Sequence, residues 1–197
     1  MSTKPIRLAV NGAAGRMGLA LATLLHGDAR FELVHAVGSP RSTQAGHPVW
    51  PDRPLCFATD WSAAPAALDV VVDFSSPAGL VAALDFCLAH GVALVTGSTG
   101  LDAGLAARLD AAAARIPLLR AANFSLGVAV LTHLLRDAAA SLHDWDLEII
   151  EAHHGRKQDA PSGTALALGA VAAQARGTTL ADAAVYAREG HTGARRD

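Results

Sequence analysis

The stretch Ile6-Arg7-Leu8-Ala9-Val10-Asn11-Gly12-Ala13-Ala14-Gly15-Arg16-Met17-Gly18 decides how this chain folds. Ile6 to Val10 is a short, mainly apolar run of strand length. It breaks at Asn11-Gly12, and Met17 to Leu25 then reads as a helix. Strand, glycine turn and helix make the first half of a parallel βαβ unit. Within the pattern Gly12-x-x-Gly15-x-x-Gly18, the first glycine permits the tight turn and the second lets backbone amides approach a diphosphate. The third allows the helix to lie close on the sheet. Amides left free at the helix start, together with its dipole, suit an anion.

Working outward, Phe31 to Val37 supplies a second strand. Residues 38–54 carry Pro40, Pro48, Pro51 and Pro54 without periodicity and read as a loop. Val70 to Phe74 is a β-branched and aromatic run suited to a buried parallel strand. A helix is expected over 77–90, capped by Ser75 or Ser76 and stopped by Gly91. Val92 to Thr96 is the next strand, Asp102 to Arg115 a helix with Asp102 as its cap, and Ile116 to Arg120 a further strand. Strands alternating with helices imply an α/β, Rossmann-type parallel sheet covered on both faces, whose ligands sit beyond the strands' carboxyl ends. After Phe124 the rhythm changes to a helix over 128–142, a strand over 147–152 and an Ala-rich helix over 164–176. The division expected is a dinucleotide-binding domain over 1–125 and an α+β substrate-binding and oligomerisation domain over 126–197.

Composition excludes several functions. A chain of 197 residues, 51% hydrophobic and 17% charged, can bury an ordinary core, and its formal charge of −2 gives no electrostatic drive toward nucleic acid or a membrane. Cys56 and Cys87 stand far apart, in no metal-ligand spacing, and point to a reducing compartment. With no long apolar segment, the expectation is a cytoplasmic protein.

Dinucleotide choice is usually written at the end of the second strand, where a carboxylate would meet the ribose 2′-hydroxyl. Here Val37-Gly38-Ser39-Pro40-Arg41 offers none, while Ser39 and Arg41, with Arg16 nearby, suit a phosphate. The reading is NADPH, with NADH left open. Gly97-Ser98-Thr99-Gly100 and Ala121-Ala122-Asn123-Phe124-Ser125 each follow a strand, where backbone can contact nicotinamide and ribose. As plain turn chemistry either would be unremarkable.

The densest segment is Glu151-Ala152-His153-His154-Gly155-Arg156-Lys157-Gln158-Asp159-Ala160-Pro161-Ser162-Gly163-Thr164-Ala165. Two histidines leaving a strand, two cations close behind and a Pro-Ser-Gly-Thr helix start make an anion-receiving pocket with proton donors. Lys157 and Lys4 are the only lysines in a chain that otherwise uses arginine. Lysine can give up a proton where guanidinium cannot. Ser162 or Thr164 can cap the following helix, and Gly163 allows a carboxylate close to its free amides.

The glycine turn, the G-S-T-G and A-A-N-F-S segments, the histidine-lysine run and the late Arg188-Glu189-Gly190-His191-Thr192-Gly193 together resemble the 4-hydroxy-tetrahydrodipicolinate (dihydrodipicolinate) reductases of the diaminopimelate and lysine pathway. The resemblance implies hydride transfer from NAD(P)H to C4 of a conjugated ring imine, then proton addition, giving tetrahydrodipicolinate. It assigns acid/base work to His153 and proton donation to Lys157. Carboxylate binding falls to His154, Ser162, Gly163 and Thr164. Cofactor contacts would come from Gly12, Ala13, Ala14, Gly15, Arg16 and Met17, from Gly38 and Ser39, from Gly97, Ser98 and Thr99, and from Ala121, Ala122, Asn123 and Phe124. The family also implies a small dicarboxylate substrate and a homotetramer, with no metal. Because the sequence stops at Arg195-Arg196-Asp197, the second domain is expected to be C-terminally incomplete. Three rivals stay open: a nucleotide-sensing protein without activity, a semialdehyde dehydrogenase needing a cysteine nucleophile, and a metal hydrolase using Glu151, His153, His154 and Asp159.

Overall fold

The apolar runs line up as one parallel sheet. A computed structural model of the chain describes residues 4–65, 67–153, 155 and 160–186. They fall into two units, divided between Ala121 and Ala122. In chain order the first contains β1 (Ile6–Asn11), α1 (Arg16–His26), β2 (Phe31–Val37), β3 (Phe57–Ala58), β4 (Val70–Asp73), α2 (Pro77–His90), β5 (Ala93–Thr96), α3 (Ala103–Ala112) and β6 (Leu118–Arg120). The sheet order is β3-β2-β1-β4-β5-β6, every pairing parallel. This is the doubly wound order in which the chain leaves β1 first to one side and later to the other.

Alternation along β1 divides the core. Leu8 and Val10 pack with Leu33, Ala36, Ala22 and Trp50 on one face. Ala9 faces the opposite way, with Val71, Leu94, Leu80, Leu84 and Leu109. Both faces are therefore dry, which is why β1, β4 and β5 read as continuous apolar runs. Each buried leucine adds about 1.5–3 kcal/mol of burial free energy, and the sum is set against the chain entropy lost in ordering.

Helix ends follow local chemistry. The Ser76 hydroxyl accepts from Gly79 N and Pro77 opens α2, while Gly91, at φ 66°, closes it. Asp102 caps α3 by accepting from Leu105 N at 2.7 Å. The edge strand β3 has no counterpart in the sequence reading, because two residues are too few to show a period. Its place is set by the loop before it: Phe57 N donates to His47 O and Val49 N to Leu55 O. The loop is nailed down by Trp50, 7% exposed, whose indole N–H donates to Ala22 O.

The second unit contains α4 (Leu126–Ser141), α5 (Gly163–Ala175) and α6 (Leu180–Ala183). Small residues let them pack: Ala139, Ala172 and Ala173 are buried, and Gly169 lies against Leu180. The strand expected over 147–152 does not form. Among the described residues of this unit there is no strand to pair with it, and the backbone from Leu147 to His153 is irregular, with Ile150 91% exposed. Apolar alternation gives strand propensity, but a strand exists only as a member of a ladder.

Candidate active site

Every strand of a parallel sheet ends at the same edge, so Gly12, Gly38, Phe74, Gly97 and Ala121 all emerge there. At the switch point between β1 and β4 the glycine turn is fixed by two demands. Gly12 has φ +79°, and a Cβ on it would come within 2.4 Å of Phe74 O. Gly18 lies against the backbone of Gly12 and Ala13, where a Cβ would again come within 2.4 Å. Both positions exclude a side chain, so α1 starts close beneath the turn.

The start of α1 differs from the other helix starts described. Ser76, Asp102, Ser125, Ser162 and Thr179 each accept a backbone amide at the head of their helices. Gly15 caps α1 without any side-chain hydrogen bond, and no acidic residue stands in its first turn. The amides of Arg16, Met17 and Gly18 and the dipole behind them are left to an anion from outside. Arg16 and Met17 are exposed, as are Ser39, Arg41 and Thr99, while Ala13, Gly38 and Ser98 are buried. Ser39 Oγ accepts from Arg41 N at 3.3 Å, so both side chains rise from one turn after β2. The arrangement fits a dinucleotide: a glycine turn, an uncapped helix start and a carboxylate-free second strand end on one rim.

Sequence reading missed what lies below this rim. Asp73, the last residue of β4, is completely buried. Its Oδ1 accepts from Asn11 Nδ2 at 2.7 Å and Ser75 Oγ at 2.5 Å, and its Oδ2 from Thr96 Oγ1 and Ser98 Oγ, both at 2.7 Å. Ser98, expected to touch the cofactor, thus spends its proton inside the protein. The available signal was a carboxylate directly after three valines, since an acid inside an apolar strand must be satisfied from neighbouring elements.

In the second unit, Glu151 joins the histidine run to α5. Its Oε1 accepts from Ser162 N at 2.8 Å, its Oε2 accepts from the Ser162 hydroxyl, and His153 Nδ1 lies 3.8 Å from Oε2, an ion pair when the imidazole is protonated. Ser162, 5% exposed, also caps α5 by accepting from Ala165 N. Its hydroxyl is committed to the fold, and Gly163 and Thr164 follow it in the first turn. Asn123 joins this group: its Nδ2 donates to Thr164 Oγ1 at 3.0 Å, and its Oδ1 accepts from Ser125 N. Ala122 and Phe124 beside it are exposed, Phe124 by 43%. His154, Arg156, Lys157 and the 188–193 segment lie outside the described residues.

One rival loses ground here. Cys87 is buried, and desolvation pushes its thiol up to about 12, with the charge of Asp73 adding to the effect. It is no thiolate nucleophile. Cys56, exposed, sits in the loop before β3. His154 and Asp159, which the metal-hydrolase reading needs beside Glu151 and His153, lie outside the described residues.

A doubly wound sheet with a glycine turn at its switch point defines a dinucleotide-binding α/β domain. The family model described as dihydrodipicolinate reductase, N-terminus, matches residues 6–124, and that of the C-terminus matches 127–197. The chain belongs to the dihydrodipicolinate reductase family and is an NAD(P)H-dependent oxidoreductase. The 4-hydroxy-tetrahydrodipicolinate reductase of Xanthomonas campestris pv. campestris is 48% identical over 172 residues, covering 87% of this chain and 71% of the relative. That of Burkholderia vietnamiensis is 45% identical over 195 residues, with coverage of 96% and 74%, and that of Caulobacter vibrioides 44% over 198, with 99% and 73%. A solved dihydrodipicolinate reductase from a Paenisporosarcina species, with dipicolinate bound, has the same fold: TM-score 0.68 at 24% identity, over 98% of this chain and 71% of that one.

Proposed function

We propose that the chain reduces 4-hydroxy-tetrahydrodipicolinate to tetrahydrodipicolinate in the diaminopimelate and lysine pathway, with the nucleotide on the glycine-turn rim and the dicarboxylate at the Glu151 to Thr164 segment. The observation that carries the reading is the coexistence, in one chain of this family, of an uncapped helix behind Gly12 and a histidine beside a capped helix start.

When bound, the reduced nicotinamide supplies a hydride to C4 of the dehydrated, conjugated ring. His153, with Glu151 Oε2 3.8 Å from its Nδ1, offers Nε2 to the substrate and acts as the acid/base group. Lys157 donates the proton that completes the reduction, a role resting on its place in the H-H-x-x-K run. His154 and the Gly163 and Thr164 amides receive a carboxylate, with Asn123 steadying the Thr164 hydroxyl from below. Local cations are needed because a protein of charge −2 provides no general attraction for a dianion.

NADPH is the proposed donor. Ser39 and Arg41 rise from one turn, and no carboxylate there would repel a 2′-phosphate. The working assembly is proposed to be a homotetramer formed through the second unit, whose surface exposes Leu126, Leu134, Trp145 and Ile150 by 61–91%. The test is loss of reduced-nicotinamide absorbance on adding the substrate. A chain that binds NADPH yet never consumes it with substrate present is a sensor instead, and tighter binding of NADH in competing titrations overturns the cofactor choice.

A further inference from the structure

We propose that Asp73 is a positioning residue for the nicotinamide nucleotide: its buried carboxylate locks the ends of β1, β4 and β5 into the arrangement that presents their turns to the ligand. The proposal rests on the dinucleotide reading of that rim.

An ionised carboxylate is an acceptor with about four lone-pair positions, and Asp73 has a donor for each. Two come from β1 and the β4 turn, Asn11 and Ser75, and two from β5 and its turn, Thr96 and Ser98. Each donor has a second tie. Asn11 Nδ2 also lies 3.0 Å from Gly79 O at the start of α2, and Ser98 Oγ accepts from Ser75 N at 3.1 Å. Thr96 Oγ1 accepts from Ser98 N at 3.2 Å. Gly12, Phe74 and Gly97 are the residues next in line, so none of the three turns can shift without breaking a bond to the same carboxylate.

Packing alone does not call for this group. An apolar residue at the end of β4 would fill the sheet without the cost of desolvating a charge, and all four partners of Asp73 are neutral. What the network adds is a rim whose turns are ordered before the ligand arrives, so less ordering free energy is lost on binding. Asp73 sits beneath the turns, not on the ligand, and acts through them.

The decisive comparison is between Thr96→Val, which keeps the volume and removes one donor, and Thr96→Ser, which keeps the donor. NADPH dissociation constants from nicotinamide fluorescence, KM for both substrates and thermal midpoints are measured on each. We expect the valine variant to weaken NADPH binding and raise its KM by about tenfold, with the dicarboxylate KM unchanged, and the serine variant to restore wild-type binding. Asp73→Asn, which puts an amide donor among donors, should be more severe; if it does not fold, the Thr96 pair decides. A lowered midpoint with unchanged NADPH affinity, or an equal rise in both KM values, overturns the proposal. A wild-type chain that binds neither NADPH nor NADH removes the rim reading itself, and this inference with it.

Discussion

A histidine serves as an acid or base only when one ring nitrogen is left to meet the substrate. Glu151 Oε2 lies 3.8 Å from Nδ1 of His153, and in the proposed role Nε2 is the nitrogen that meets the substrate. Replacing His153 by Gln, or Lys157 by Ala, should therefore lower kcat by about 10²–10⁴-fold, the usual worth of general acid or base catalysis. Nucleotide affinity measured by fluorescence should stay near wild type, since neither residue belongs to the glycine-turn rim. A parallel loss of nucleotide binding would show the roles to be misassigned. Cysteine chemistry gives a second expectation. With Cys87 buried and its thiol raised to about 12, a thiol reagent at neutral pH should modify Cys56 alone in the folded chain and both cysteines only after unfolding. Two fast-reacting thiols in the native protein would contradict the packing around α2.

Glycine positions act at the scale of an element, because they fix where a whole helix sits. Gly12→Ala must place a methyl group 2.4 Å from Phe74 O at φ +79°, and neither strain is relieved without moving the β1 turn off β4. The expected outcome is a loss of thermal stability together with NADPH binding weakened by at least tenfold, the latter because the α1 amides turn away from the anion. An alanine variant that binds NADPH normally would show that the turn does not hold the nucleotide. These same elements show what the sequence could disclose. The Asp102 cap and the Gly91 stop are legible, and the α2 cap to within Ser75 or Ser76, because each is a side-chain or φ requirement written in one residue. The two-residue β3 was not, since its place depends on a loop nailed down by Trp50 some 28 positions from its acceptor. Nor was the Asp73 network, which joins residues 11, 73, 75, 96 and 98 through the fold. Over 147–152 the apolar pattern suggests a strand that the structure does not form, because pairing is a property of two segments. In the histidine segment the residue types were legible and their linkage was not: Ser162, expected on the substrate, has its hydroxyl engaged by Glu151.

At the scale of the whole molecule, charge decides how the first unit responds to acid. Asp28 is held down at about 2, chiefly by the Arg30 side chain, which donates to both its oxygens at 2.6–3.1 Å. Asp52 is lowered mainly by His26, and Asp60 mainly by the Ser62 hydroxyl. A carboxyl whose pKa is lower folded than unfolded binds fewer protons in the native state than in the unfolded one. Its contribution is therefore complete above about pH 4, where the unfolded carboxyl ionises, and fades as the pH falls toward about 2. All three lie around β2 and β3: before β2, in the loop between them and just after β3. The solvent-accessible Asp28–Arg30 and Asp52–His26 ion pairs are screened by salt, whereas the Asp60–Ser62 bond is less so. Thermal midpoints should thus stay level from neutral pH down to about 4.5 and then decline. Fluorescence of Trp50, isolated by replacing Trp61 and Trp145 with Phe, should report loosening of the loop between β2 and β3 before helical circular dichroism is lost. Asp28→Asn should flatten the decline, and high salt should reduce the part owed to the two ion pairs. A midpoint that holds or rises between pH 4 and pH 2 would mean that these acids are as easily protonated folded as unfolded.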